Sequence, residues 1–283
     1  MSEPRDVVLV GADGMLGRAF AELFAKRGAP ARPVLDPALD LGKAETIAPS
    51  IGEHARVIVS CAAWTDVDGA ESDEAGARAV NATGVGHLAA HAARIGATLV
   101  HFGTDYVFGG DGVAPYPVDA PLAPLGAYGR TKAEGERLLR ESGARHLYVR
   151  TSWLYAPWAK NFVRTIAALS RSRPELRVVN DQRGRPTSAE HLASATLSLL
   201  DGGATGTWHV TDGGECTWFE LASEVVRLTG AACRVLPCTT AEFPRPAPRP
   251  AYSVLDVSAT ETLLGPMPDW RTNLADVVAR LEP

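Results

Sequence analysis

An α/β fold on a doubly wound parallel sheet, with a smaller C-terminal substrate-binding domain, is predicted by three features of this 283-residue chain. An apolar run, DVVLVG at residues 6–11, leads directly into Gly11, Gly14 and Gly17. Strand-like and helix-like segments then alternate to about residue 153, the pattern of a parallel sheet covered on both faces. Tyr128 and Lys132 stand four residues apart in a helical stretch, PLGAYGRTKAEGERLL.

The first element, residues 6–11, reads as a buried strand because nearly every position is apolar. ADGMLGRAFAELFAKRG follows, with Leu16, Phe20, Leu23 and Phe24 at helical spacing and a stop at Gly28. Gly11, Gly14 and Gly17 between them permit a tight turn, close approach of backbone to a pyrophosphate, and close packing of helix on strand. The helix N-terminus would then present its unpaired N–H groups to phosphate. The spacing is G-x-x-G-x-x-G rather than the commoner G-x-G-x-x-G, so its place between strand and helix carries the argument. A short strand near residues 31–36 and another in ARVIVSCAAW, residues 55–64, come next. A long helix over residues 74–95 turns Ala79, Leu88 and Ala92 toward the core. ATLVHFGTDYVF, residues 97–108, is a strand and its exit, and a Pro- and Gly-rich loop runs on to Ala127. The Tyr128 helix leads into the strand RHLYVRTSW, residues 145–153. Right-handed crossovers would bring these strand ends to one rim, where such sheets bind ligands.

Residues 1–150 form the expected dinucleotide-binding domain, with its sheet completed by about residues 175–210. Residues 151–174 and 211–283 form the expected substrate-binding domain. FPRPAPRP, residues 243–250, holds four prolines in eight positions and is excluded from helix and central strand. It is either a linker or an ordered wall over a ligand.

Composition narrows the class. The chain is 46% hydrophobic and 22% charged, enough for a sizeable core. A net charge of −5 without a basic block argues against nucleic acid or an anionic membrane as principal partner. Cys61, Cys216, Cys233 and Cys238 form no CxxC pair, and a reducing cytoplasm is the simplest setting. MSEPRD lacks an apolar export signal, and no apolar stretch approaches the ~20 residues of a membrane span.

The chemistry gathers at the predicted strand ends. A phenol is a poor acid–base group near neutral pH unless a cation beside it stabilises the phenolate. Positions i and i+4 share a helix face, so the Lys132 ammonium is placed to tune the Tyr128 hydroxyl. Thr104 and Asp105 leave the fourth main strand, where a hydroxyl reaches a substrate carbonyl. Tyr128 would give its proton to that oxygen while a nicotinamide delivers hydride to the carbon. Each group has a plainer role open to it: Thr104 as a turn cap, Asp105 in an Asx turn, Asn81 of AVNATG as a polar helix position.

GADGMLG, VNATG, GTDYVF and YGRTK together resemble the extended short-chain dehydrogenase/reductases. More narrowly, CAAWTDVDGAES, TDYVFGG, RTSWLYAPWAKNFV, DQRGRPTSAEHLA and RPAYSVLD resemble the dTDP-4-dehydrorhamnose reductase family, over about residues 7–256. The resemblance implies a Rossmann-like fold and reduction of the 4-keto group of dTDP-4-dehydro-L-rhamnose by NADPH or NADH. It implies a catalytic trio of Thr104, Tyr128 and Lys132. It implies a cofactor loop of Gly11, Gly14, Met15, Leu16 and Gly17, a cofactor track along Ala62, Ala63, Trp64 and Thr65, and Asp40 and Leu41 near the adenine. On the sugar-nucleotide side it points to Asp105, Trp153 and Asn161, and further to Gln182 and Arg249.

The chain departs from that pattern in places. Gly103 replaces a serine before the Thr-Asp pair, Trp64 stands where tyrosine or histidine is usual, and Gly109 replaces an aspartate. Met15 offers no carboxylate at its own position in the glycine turn, and no metal is expected. His87 and His91 lack the glutamate of an H-E-x-x-H zinc site and read as surface residues. Cofactor choice stays open: Asp36 or Asp40 would bind a ribose 2′-OH, whereas Arg18 or Arg32 would accommodate a 2′-phosphate. A 4,6-dehydratase needs a carboxylate where Tyr106 stands. A reductase of another NDP-4-keto-6-deoxy sugar remains open, as does a non-catalytic role like that of the methionine adenosyltransferase β subunit. A homodimer is compatible with the chain, but no helix marks its seam.

Overall fold

The computed structural model describes residues 6–35 and 38–281. Six strands form the main sheet: β1 (Val7–Val10), β2 (Arg32–Val34), β3 (Val57–Ser60), β4 (Thr98–Thr104), β5 (His146–Thr151) and β6 (Gly206–His209). Their order is β6-β5-β4-β3-β1-β2, and every neighbouring pair is parallel. After β2 the chain returns past β1 to lay down β3. This reversal opens a crevice at the carboxyl ends of β1 and β3, the position at which open α/β sheets take their ligands.

Alternating strand positions feed two apolar layers. Val8, Ile58 and Leu99 meet Val85, Leu88 and Ala92 of the helix Gly84–Ile95. Leu9, Val59, Val100 and Val149 meet Phe20 of the helix Met15–Lys26 and Leu192 of the helix Ala189–Asp201. Burying each such side chain contributes about 1.5–3 kcal/mol. With both faces covered, the strands are near-continuous apolar runs, which made them legible in the sequence.

The helix expected over residues 74–95 is present, but not as one regular coil. Its segments Glu74–Arg78 and Gly84–Ile95 are α-helical, and a π turn, Ala79–Thr83, lies between them. The widened turn carries Asn81, which is fully buried. Its side chain accepts the Trp64 N–H at 2.9 Å and donates to the Trp64 carbonyl at 3.1 Å. A π turn at this position tethers the loop after β3 to the helix, a recurrent device at functional sites.

A third apolar cluster lies outside the main sheet. Val163 and Ile166 of Phe162–Ser172, Leu221 and Val225 of Trp218–Thr229, and Trp270 and Leu274 of Trp270–Ala279 pack together in it. The strand Glu175–Val179 pairs in parallel with Arg234–Cys238 rather than with the main sheet. The main sheet takes Gly206–His209 as its last strand, beside β5.

Candidate functional site

A groove of about 900 Å³ runs along the carboxyl ends of β1, β3, β4 and β5. The glycine turn closes one end. Gly11 adopts φ +72°, and its amide donates to the Val34 carbonyl at 3.0 Å. A Cβ on Gly17 would stand 1.9 Å from the Gly11 carbonyl oxygen, so no side chain fits there. No side chain caps the helix Met15–Lys26 at Gly14, which leaves its first-turn N–H groups for a ligand. The cradle therefore fits the pyrophosphate of a dinucleotide. Gly11, Gly14, Met15 and Leu16 line the groove, whereas Gly17 lies behind them as a packing contact.

Asp40, Leu41, Ala62, Ala63 and Thr65 also line the groove. The Asp40 carboxylate pairs with Lys43 at 2.8 Å and accepts the Gly42 N–H at 3.0 Å, and Lys43 is the main cause holding it below the usual range. Asp36 lies outside the described residues. Arg18 is committed to Glu22 and stacks on Trp158, while Arg32 donates to the carbonyls of Ser50 and Ile51. Trp64 is not part of the lining. Its indole packs with Ala70, Ala77, Ala127 and Tyr128, and its Nε1 donates to the Asp66 carbonyl.

Thr104, Asp105, Tyr128 and Lys132 come together on the groove wall. Thr104 ends β4; its hydroxyl donates to Asp105 Oδ1 at 3.1 Å and accepts the Tyr106 N–H at 3.2 Å. Tyr128 and Lys132 share one face of the helix Ala127–Glu141, and Lys132 Nζ donates to the Phe102 carbonyl at 2.6 Å. Tyr106 meets the Tyr128 ring edge-on, with centroids 5.9 Å apart.

The electrostatics of this wall are those of a dry site. Desolvation pushes the Tyr128 phenol up to about 12, and the neighbouring Thr104 hydroxyl opposes it. The expected acidification by Lys132 is not the dominant influence on that phenol. Burial also draws Lys132 down to about 8, with Glu136 pulling the other way. Asp105 is lifted to about 7 by burial, against the Ser253 and Thr104 hydroxyls. At neutral pH the wall thus presents a protonated phenol beside an ammonium, which suits proton donation to a ketone oxygen.

Trp153 and Asn161 line the far end. Trp153 takes a left-handed backbone, φ +47°, and its indole stacks on Trp218 at 3.6 Å with planes 9° apart. Phe162 packs on Trp218 in turn. This aromatic wall is broader than the sequence suggested, for Trp218 drew no attention there. The capping box of Thr217 and Glu220 was its only local signal. Asn161 caps the helix Phe162–Ser172 and donates to the carbonyls of Ala156, Trp158 and Ala159. Its amide therefore shapes the loop that brings Lys160 to the groove.

Gln182 and Arg249 do not line the groove. Gln182 donates to the Thr240 hydroxyl at 2.8 Å. Arg249 pairs with Asp68 at 3.0 Å and lies over the Tyr106 ring. Asp68 also takes Arg245 and the Ala247 N–H, so one carboxylate ties the proline-rich segment beside Tyr106. Of the two readings of that segment, an ordered wall describes it. His87 contacts the Leu41 carbonyl, whereas His91, expected at the surface, is buried against the Gly52 carbonyl. Among the described residues no cluster of three or more His, Cys, Asp or Glu is arranged for a metal ion, and no helix is long and apolar enough to cross a membrane.

Comparison with known proteins follows the same lines. The family described as RmlD substrate binding domain matches residues 5–282. A dTDP-4-dehydrorhamnose reductase of Streptomyces griseus is 42% identical over 278 residues, covering 95% of this chain and 91% of the relative. A dTDP-4-keto-6-deoxy-D-glucose reductase of Streptomyces niveus is 38% identical over 274 residues, covering 94% of each. Among solved structures, a dTDP-4-dehydrorhamnose reductase of Bacillus anthracis in complex with NADP superposes with a TM-score of 0.92. It is 34% identical and covers 96% of this chain and 98% of that one.

Proposed function

The chain belongs to the dTDP-4-dehydrorhamnose reductase family, with its RmlD substrate-binding domain, and from that membership we propose how its groove works. The protein is an NAD(P)H-dependent oxidoreductase that reduces the 4-keto group of dTDP-4-dehydro-L-rhamnose to dTDP-L-rhamnose. The observation that carries the site assignment is the meeting of Thr104, Tyr128 and Lys132 on one wall of a groove that begins at the glycine turn. Bound nicotinamide cofactor supplies the hydride for C4. Tyr128 supplies the proton that the ketone oxygen takes as it becomes a hydroxyl. Thr104 orients that oxygen by hydrogen bonding, and the Lys132 ammonium holds the cofactor and favours the phenolate left behind.

The glycine turn with Asp40, Leu41, Ala62, Ala63 and Thr65 would hold the dinucleotide, while Trp153 and Trp218 present flat apolar faces to the sugar nucleotide. This supports a division of labour between a sheet-bearing domain, residues 1–150 completed by the helix Ala189–Asp201 and the strand Gly206–His209, and a sugar-nucleotide domain from residues 151–174 and 211–283, to which the strand Glu175–Val179 belongs through its pairing with Arg234–Cys238. Four free cysteines, three of them buried, fit a reducing cytoplasm. A homodimer is the simplest assembly to test alongside activity.

Incubation with NADPH and dTDP-4-dehydro-L-rhamnose should yield NADP⁺ and dTDP-L-rhamnose. Binding of NADPH without turnover of any dTDP-4-keto sugar would favour a scaffold role instead. Turnover of a different 4-keto-6-deoxy sugar in preference would favour the reading suggested by the Streptomyces niveus relative and by Gly103, Trp64 and Gly109.

A pH prediction follows from Lys132. Its ammonium persists below about 8 and is lost above it. The kcat/KM for NADPH should therefore hold below that pH and fall above it by about tenfold per pH unit. A profile flat to about pH 10 would remove Lys132 from this role.

A further inference from the structure

Behind the catalytic wall lies a polar row that the reductase chemistry above does not use. Ser60 on β3, His101 on β4 and Tyr148 on β5 are register partners across the sheet. They point to the face covered by the helix Ala127–Glu141, where Tyr148 shares a cluster with Leu139 of that helix. None of the three is more than 2% exposed. The Ser60 hydroxyl, both ring nitrogens of His101 and the Tyr148 hydroxyl find no hydrogen bond of normal geometry among the described residues, and the Ser60 backbone gives the His101 ring only a weak one. An unmet buried polar group costs about 1–3 kcal/mol, so four in one row call for a shared partner.

Gly103 locates the row relative to the catalytic residues. A Cβ there would stand 2.6 Å from the Tyr148 ring and 2.7 Å from its hydroxyl. The phenol thus fills the space that a side chain immediately before Thr104 would occupy. Lys132, on that covering helix, reaches the same strand segment through the Phe102 carbonyl. Its charge also bears on His101.

We propose that Ser60, His101 and Tyr148 form a buried site for ordered water that holds the Lys132 ammonium in place, with Tyr148 as its positioning residue. The proposal rests on the assignment of Lys132 to the cofactor. An ammonium has three donors. Phe102 takes one, the row's water takes the second, and the third remains for the cofactor. Water bridging several buried polar groups is ordinary where two to four partners converge. An acceptor behind Lys132 favours its charged form and offsets part of the burial that lowers its pKa.

The other groups facing Lys132 are accounted for. Glu136 on its own helix pairs with Arg150 of β5, Tyr128 stays protonated, and His101 is kept neutral by burial. Asp105 lies on the groove side with its hydroxyl partners.

The chain has four lysines, Lys26, Lys43, Lys132 and Lys160, so ¹³Cε-lysine NMR resolves them, with Lys132→Met as the assignment control. The titration needs neither cofactor nor substrate, so its outcome is independent of whether the proposed reaction occurs. Tyr148→Phe keeps the ring and removes the hydroxyl. Its Lys132 pKa should fall by about half to one unit, and the alkaline limb of kcat/KM should move down with it. Ser60→Ala should shift it in the same direction by less, and serves if the first variant misfolds. Lys132 titrations that superimpose for the parent and both variants would overturn the proposal.

Discussion

Tyr128→Phe should lower kcat by about two to four orders of magnitude while leaving NADPH affinity nearly unchanged. The ring stays, and with it the edge contact to Tyr106 and the packing against Trp64, Ala70 and Ala127. Only the transferable proton is removed. Desolvation holds the phenol near 12, so the donor is protonated across the whole working range and its loss is not disguised by titration. Thr104 remains to orient the ketone, so residual turnover by solvent protonation is expected rather than complete loss. A substituted protein with parental kcat would rule out the phenol as donor. A large rise in the NADPH dissociation constant with kcat preserved would assign Tyr128 to binding instead.

Glu136→Gln should destabilise the fold by about 3–5 kcal/mol, because it leaves a buried guanidinium without its counter-ion. Glu136 follows Tyr128 and Lys132 at the next helical repeat, on the same face. Its carboxylate takes Arg150 Nε at 3.0 Å and Nη2 at 2.6 Å, and neither side chain is more than 2% exposed. Arg150 is further fixed by the Val118 carbonyl and by His209. The pair pins the catalytic helix to β5, so the melting temperature should fall by roughly ten degrees in thermal unfolding. The double variant Glu136→Met, Arg150→Met should regain much of the loss, since burial of the ions themselves is costly. An unchanged melting temperature for Glu136→Gln would mean that the pair contributes little.

The parts of this protein that were legible in its sequence are those written in local patterns. Runs such as VVLV and VIVS are apolar because both sheet faces are covered, and the Tyr128–Lys132 spacing survives as a shared helix face. What escaped notice depends on contacts between distant segments. Asp68 and Arg249 are 181 positions apart, and no periodicity announces that they will pair beside Tyr106. Trp153 and Trp218 stack only because the bend after β5 meets the helix Trp218–Thr229 at the third cluster. The π turn at Ala79–Thr83 has the same apolar pattern as a regular helix, and only the Trp64 backbone clasped by Asn81 reveals its purpose. The absent side chain at Gly103 signals nothing until Tyr148 is seen occupying its place.

The most direct test of the hydride-and-proton account uses NADPH carrying deuterium at the transferable C4 position of the nicotinamide. With dTDP-4-dehydro-L-rhamnose, the product should be dTDP-L-rhamnose with one deuterium on sugar C4, read by NMR, and the Tyr128→Phe variant should form it far more slowly. Cofactor left unoxidised by the parent protein, or deuterium found at any other carbon, would contradict the account.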